Sequence, residues 1–195
     1  MMRILAAVFG FISVCSTPVL AATWVFDESH STVEFSVRHM MVSNVKGRVG
    51  GLKGSIEMDE KDLTKTKIDV TLDAATINTE NAKRDEHLRG ADFFDVQKFP
   101  QIKFVSKKVV KTKDRLSVSG DLTIRGVTKT AELQVDGPSP SVKDPWGNVK
   151  KGFSASTKIN RKDFGVSWNK TLDGGGVVVG DDVKISIEAE IQEKR

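Results

Sequence analysis

His30, His39 and His87 are the three histidines of this chain, and their spacing settles the first chemical question. No pair has the separation that puts two imidazoles on one helix face for zinc, and no fixed carboxylate pattern surrounds them, so a metal site is not expected. Serines are numerous, but none lies in a Gly-x-Ser-x-Gly elbow or beside a recognisable base. Gly47, Gly50, Gly51 and Gly54 suggest a phosphate loop, yet neither a Gly-Lys-Ser/Thr ending nor a helix opening follows; they read as bends or bulges in a strand. Asp85 with Glu86, or Asp92 with Asp95, could supply two carboxylates for hydrolysis, but beside a short helix such residues read as solvated caps. The expectation is a protein that is not an enzyme and needs no catalytic cofactor.

The single cysteine, Cys15, lies in a leader. Met1-Met2-Arg3 is a short positive start, Ile4 to Cys15 is apolar, and Val19-Leu20-Ala21 suits cleavage after Ala21, with Ala22 as the alternative. The run is too short for a bilayer span, and Val14 before Cys15 is poorly suited to lipidation. Residues 1–21 therefore read as a signal peptide and 22–195 as one exported domain. Removing 21 of the 195 residues leaves 174, and the loss of Arg3 lowers the formal charge from +4 to +3. No thiol remains for a disulfide, a nucleophile or a metal, so packing alone must stabilise the domain. With 29% charged residues and no concentrated basic face, nucleic-acid binding is not expected.

The elements that position any site are strands. From Ser31 onward apolar residues recur every second position: Val33, Phe35, Val37; Leu52, Ile56, Met58; Ile68, Val70, Leu72; Ile102, Phe104. Leu116 to Ile124, Ala131 to Val135, Phe153 to Ile159 and Val183 to Ile191 continue the pattern, making about eight strands. Only Thr79 to Leu88 reads as helical, with Thr79 as its cap. Such strands can close as a barrel or pack as a sandwich. An all-β, extended antiparallel β-barrel is preferred, because closure hides the apolar faces and removes exposed edges when so little helix is available to cover them. Val177-Val178-Val179 is either a further strand or a rim segment.

The exported chain holds eight Phe and three Trp, with Phe93, Phe94, Phe99 and Phe104 close together and Phe164 and Trp168 on a later segment. They either fill a core or line a cavity; a barrel of about eight strands allows both. His39 shares the parity of Val33, Phe35 and Val37, as an inward hydrogen bonder or as a contact to a ligand's polar head.

Five ordered motifs run along the domain: Arg38-His39-Met40-Met41-Val42, Asn78-Thr79 with Arg84-Asp85-Glu86-His87-Leu88-Arg89, Phe93-Phe94-Asp95 with Phe99-Pro100, Gly120 through Thr128, and Ile159-Asn160-Arg161-Lys162-Asp163-Phe164-Gly165. Together they resemble the YceI-like family of bacterial exported lipid-binding proteins, over essentially the whole exported chain. The resemblance implies a lipocalin-like barrel, with the short helix near its mouth, and a periplasmic location. It also implies an apolar tunnel holding a polyisoprenoid, an isoprenoid quinone or a related amphiphilic lipid. On parity and chemistry, Phe35, Met58, Phe93, Phe94, Phe104, Phe164 and Trp168 are the expected tail contacts, and Arg38, His39 and His87 the expected head contacts. Arg84 to His87 are expected to seat the helix over the mouth, and Arg161 either fixes a turn or approaches the head. The role expected is non-covalent carriage or storage, with transient membrane-surface contact and a homodimer both compatible. The alternatives are a packed barrel serving protein association in the envelope and, behind it, an enzyme acting on a lipid head group.

Overall fold

The computed structural model describes residues 21–194. Apart from Ala21, the expected signal peptide, including Cys15, lies outside the described residues.

Eleven strands form one antiparallel sheet: β1 Ala22–Phe26, β2 Thr32–His39, β3 Ser43–Val49, β4 Lys53–Met58, β5 Lys67–Asp73 and β6 Gln101–Lys111. They continue with β7 Leu116–Ile124, β8 Val127–Asp136, β9 Val142–Lys143, β10 Val149–Asn160 and β11 Val179–Glu193. Eight of these close a barrel in the order β1, β4, β5, β6, β7, β8, β10 and β11, with β11 returning to β1. The period-two pattern is clearest in β7, where Leu116, Val118, Gly120, Leu122 and Ile124 are buried and the residues between them are not.

The count of about eight strands matches the ring, but its membership differs. The sequence pattern misses β1, β3 and the two-residue β9, while β2, which it finds, stands outside the ring. The reason lies in β11. One of its edges pairs with β10 from Asp182 to Gln192, and the other is shared between β2, from Val179 to Glu188, and β1, from Ile191 to Glu193. β1 and β2 are thus successive occupants of one edge, separated by a 3-10 turn at Glu28–His30. The β2–β3 hairpin consequently projects from the ring, and the far edge of β3 gains one isolated bridge, Arg48 to Asn78. Of the Val177 to Val179 run, Val179 begins β11, and Val177 makes an isolated bridge to Thr171.

The helix α1 spans Ala82–Arg89 and is capped by Asn81, whose side chain accepts the Arg84 N–H, not by Thr79 as expected. Thr79 is instead buried, donating its backbone N–H (2.8 Å) and its hydroxyl to Asp85. The β5–β6 connection carrying α1 lies along the β3 edge. Inside the ring, one apolar cluster centres on Phe93, Phe104, Val118, Leu122 and Phe164, and a second on Trp24, Ile56, Met58 and Ile191.

Candidate functional site

The ring and the β2 strand beside it line a cavity of about 260 Å³ with an almost wholly apolar wall. β4 to β7 contribute Met58, Val70, Phe104, Val118 and Leu122 to its wall; β2 contributes Val33, Phe35 and Val37; the segment after α1 contributes Phe93 and Phe94. Alternation along paired strands causes this: each strand directs every second side chain inward, and those positions carry hydrocarbon. Phe35, Met58, Phe93, Phe94, Phe104 and Phe164 all reach the lining.

Trp168, Arg38, His39 and His87 stand outside that lining. Trp168 packs on His87 and Phe93, with ring centroids at 5.1 Å and 5.3 Å, so it backs a lining residue and is not itself in the wall. His87 Nε2 is 2.8 Å from Asp92, and its ring meets Phe93 edge-on. Arg38 is exposed and donates to the Met41 carbonyl at 2.7 Å. His39 is half-buried at the end of β2, paired with Val179. A chain of contacts runs from Arg38 to Gly180, Arg161, Trp168 and His87, and His39 pairs with Val179 beside Gly180, so these four residues lie towards the same end of the barrel.

Arg161 is buried, and its guanidinium donates to the carbonyls of Gly180, Val166, Trp168 and Val179, with Asp181 at 3.5 Å. Burial pushes its pKa down, partly countered by Asp181. With its donors committed to the main chain, Arg161 braces the β10–β11 connection as the fixed-turn reading expects, and it also stands in the cavity lining. The helix is held by the same device: Arg84 donates to Thr79, and Arg89 to the carbonyls of Ala75 and Ile77.

Phe26, Phe153, Leu88 and Val166 also line the cavity. Phe153 shares parity with Ala155 and Ile159, so its position was legible; Phe26 lies on β1, where no repeating pattern marks a strand.

Acidic groups have separate partners. Asp85 accepts from Thr79, Asp92 meets His87 and Asp95 meets Lys98, so none of the suggested carboxylate pairs forms a two-carboxylate site. Asp27, His30 and Glu190 bring three potential metal ligands within 4.8 Å of one another, but the Lys150 ammonium already bonds Asp27 (2.8 Å) and Glu190. The Lys150 and His30 hydrogen bonds hold the Asp27 carboxyl well below the usual carboxylate range, and Asp27 and Glu190 raise Lys150 above the usual ammonium range. The Lys150 ammonium of β10 is thus shared by Asp27, which follows β1, and Glu190 of β11, and the cluster joins these three strands. The described residues form no catalytic motif.

The YceI-like domain family matches residues 24–191. UPF0312 protein SAS2572 of Staphylococcus aureus is 39% identical over 167 residues, covering 85% of this chain and 94% of that protein. The YCEI protein of Campylobacter jejuni is 36% identical, with a TM-score of 0.68 over 81% of this chain and 90% of that one. A polyisoprenoid binding domain from Saccharophagus degradans, at 15% identity, shares the fold with a TM-score of 0.65 over 90% of this chain and all of that one. A closed barrel around an apolar cavity, with a match extending from β1 to β11, makes this chain a member of the YceI-like family.

Proposed function

We propose that this protein binds the tail of a polyisoprenoid, an isoprenoid quinone or a related amphiphilic lipid, and carries or stores it in the periplasm after export. The observation that carries this reading is the cavity: about 260 Å³ within the barrel and beside β2, lined almost wholly by hydrocarbon side chains. Removing an apolar tail from water releases roughly 25 cal/mol per Å² buried, and such a wall offers that gain without a compensating hydrogen bond. The polyisoprenoid binding domain of Saccharophagus degradans shares the fold and fits this reading; the chemistry of the lining is its main support.

The cavity volume lies just below the roughly 300–1,000 Å³ of common ligand pockets. In this shape it takes a short length of chain, and a longer tail requires half-buried aromatics such as Phe35, Phe94 and Phe153 to move. Phe35, Met58, Phe93, Phe94, Phe104 and Phe164 would touch the tail, with Trp168 supporting them. The polar head would rest at the end where Arg38, His39 and His87 gather.

Native mass spectrometry of the protein after bacterial export, followed by organic extraction, tests the reading. A stoichiometric long-chain isoprenoid is the expected result. Recovery of ligand-free protein that also refuses a panel of isoprenoids would favour an interaction module instead.

A further inference from the structure

The most exposed contiguous apolar segment at the head end of the barrel is the turn between β2 and β3. Met40, Met41 and Val42 are 43%, 54% and 76% exposed, three consecutive apolar side chains at the tip of the projecting hairpin. Their backbone is unusual as well. Met40 and Met41 have φ of +48° and +60°, in the left-handed region that glycine or asparagine occupies with least strain. Large apolar side chains thus occupy positions where the turn geometry alone would select small or polar residues. The tip is also held in place: the Met40 N–H donates to the Val178 carbonyl at 2.8 Å, and Arg38 donates to the Met41 carbonyl.

Charge points the same way. From Phe35 to Ile56 the chain carries Arg38, Lys46, Arg48 and Lys53 and no acidic residue. The pairing of Arg38 with Asn44, and of Ser36 with Lys46, puts Arg38, Lys46 and Arg48 on the hairpin face opposite Val33, Phe35 and Val37. The other face lines the cavity, through side chains that are only half-buried. Hydrocarbon therefore continues from the cavity wall along Phe35 and Val37 towards the tip, with Arg38 and Lys46 behind it, while further from the tip Arg48 faces Glu34 and lies 3.8 Å from Glu80.

We propose that the β2–β3 tip docks on an anionic lipid bilayer, inserting Met40, Met41 and Val42 while Arg38 and Lys46 meet the headgroups, so that the cavity exchanges its lipid directly with the membrane. This rests on the cavity being the lipid site. A basic, apolar tip gains from both burial and headgroup attraction. The other exposed apolar pair, Val142 and Trp146, lies towards the opposite end of β11, and Asp144 holds the turn around Trp146. In that turn Lys143 is offset by Asp144, whereas the hairpin tip has Arg38 and Lys46 with no acidic residue between them, so the tip is the preferred anchor.

Flotation of the exported protein with vesicles of phosphatidylglycerol and phosphatidylethanolamine tests the proposal. The wild type is expected to float with the vesicles, and to do so less with phosphatidylcholine alone. A Met40→Ser, Met41→Ser, Val42→Ser variant is expected to bind about tenfold more weakly or worse, from the lost apolar burial, while still taking up geranylgeraniol dispersed in solution. Lys46→Glu, which leaves the apolar tip untouched, is expected to weaken binding severalfold, and Trp146→Ser to leave it unchanged. Undiminished flotation of the tip variant, or loss of flotation on changing Trp146, overturns the proposal. So does a wild-type dimer that the tip substitutions dissociate, because a second copy would then be the occupant. Solution uptake without flotation overturns docking and supports the proposed function; flotation without uptake from either source overturns that function and leaves the tip as a membrane anchor.

Discussion

Two phenylalanines in this barrel lie over two glycines, one pair in the closed ring and the other in the projecting hairpin. A Cβ on Gly120 would fall 2.7 Å from the Phe104 ring and 2.3 Å from the Val105 carbonyl oxygen. A Cβ on Gly47 would fall 2.5 Å from the Phe35 ring and 2.8 Å from the Thr79 methyl. The local device is the same: a missing side chain lets an aromatic ring lie flat on a neighbouring strand. The surroundings are not. Phe104 is on β6, paired along both edges by β5 and β7, and is 8% exposed; Phe35 is on β2, paired by β11 and β3, but β3 has almost no further neighbour, and Phe35 is half-buried. The comparison teaches that ring closure, rather than the aromatic contact, sets how deeply each phenylalanine is buried in the wall of the cavity.

Truncation of the two aromatics tests this most directly and has the largest expected effect. Phe104→Ala should cost about 3–5 kcal/mol in denaturant unfolding, as for a fully packed core aromatic. Phe35→Ala should cost only about 1–2 kcal/mol, since much of that side chain is already in contact with water. Equal losses would break the comparison.

Arg161→Met removes the brace beneath the hairpin and takes the guanidinium from the carbonyls of Gly180, Val166 and Trp168, while Val179 keeps Asn169 and Asp181 keeps Lys162. A loss of about 3 kcal/mol is expected for breaking such a buried polar cluster. Hydrogen exchange should locate the damage, with β2, β3 and the start of β11 exchanging sooner while β6 and β7 keep their protection.

The glycines sharpen the contrast on a smaller scale. Gly120→Ala drives a methyl against backbone and should cost about 2–3 kcal/mol, whereas Gly47→Ala meets the edge of the half-buried Phe35 ring, which can shift, and the methyl of the anchored Thr79, and should cost about 1–2 kcal/mol. Thermal unfolding of the two variants decides the order.

The smallest effect is expected at the Asp27, Lys150 and Glu190 cluster, which clamps the seam at the far end. Because the folded Asp27 carboxyl is held low, its contribution is present above the unfolded value of about 4 and is lost as pH falls towards the folded one. Lys150→Met removes the largest cause of that shift. Acid unfolding should then begin at higher pH, with the neutral-pH behaviour of the hairpin unchanged.

Much of the wall was legible along the chain. Alternation at Ile102 and Phe104, at Leu116 to Ile124 and at Phe153 to Ile159 names inward positions, because a pleated strand has a period of two in any sheet. β1 and β3 escaped notice because their runs are short and mixed: Trp24 and Phe26 stand beside Ala22, and Val45, Gly47 and Val49 alternate around a residue with no side chain. Arg161 and Trp168 are different cases. Each has the composition of a site residue, and each is assigned its place by partners far along the chain: Gly180 and Val179 for the arginine, His87 and Phe93 for the tryptophan.

The sequence alone determined an all-β chain with apolar inward faces, the set of aromatics and the five motifs of the family, since these follow from local periodicity and residue identity. Tertiary structure alone decided which eight strands close the ring, and hence which apolar faces enclose a cavity and which project from it. Period two says which residues share a face; only the sharing of the β11 edge between β1 and β2 decides what that face meets.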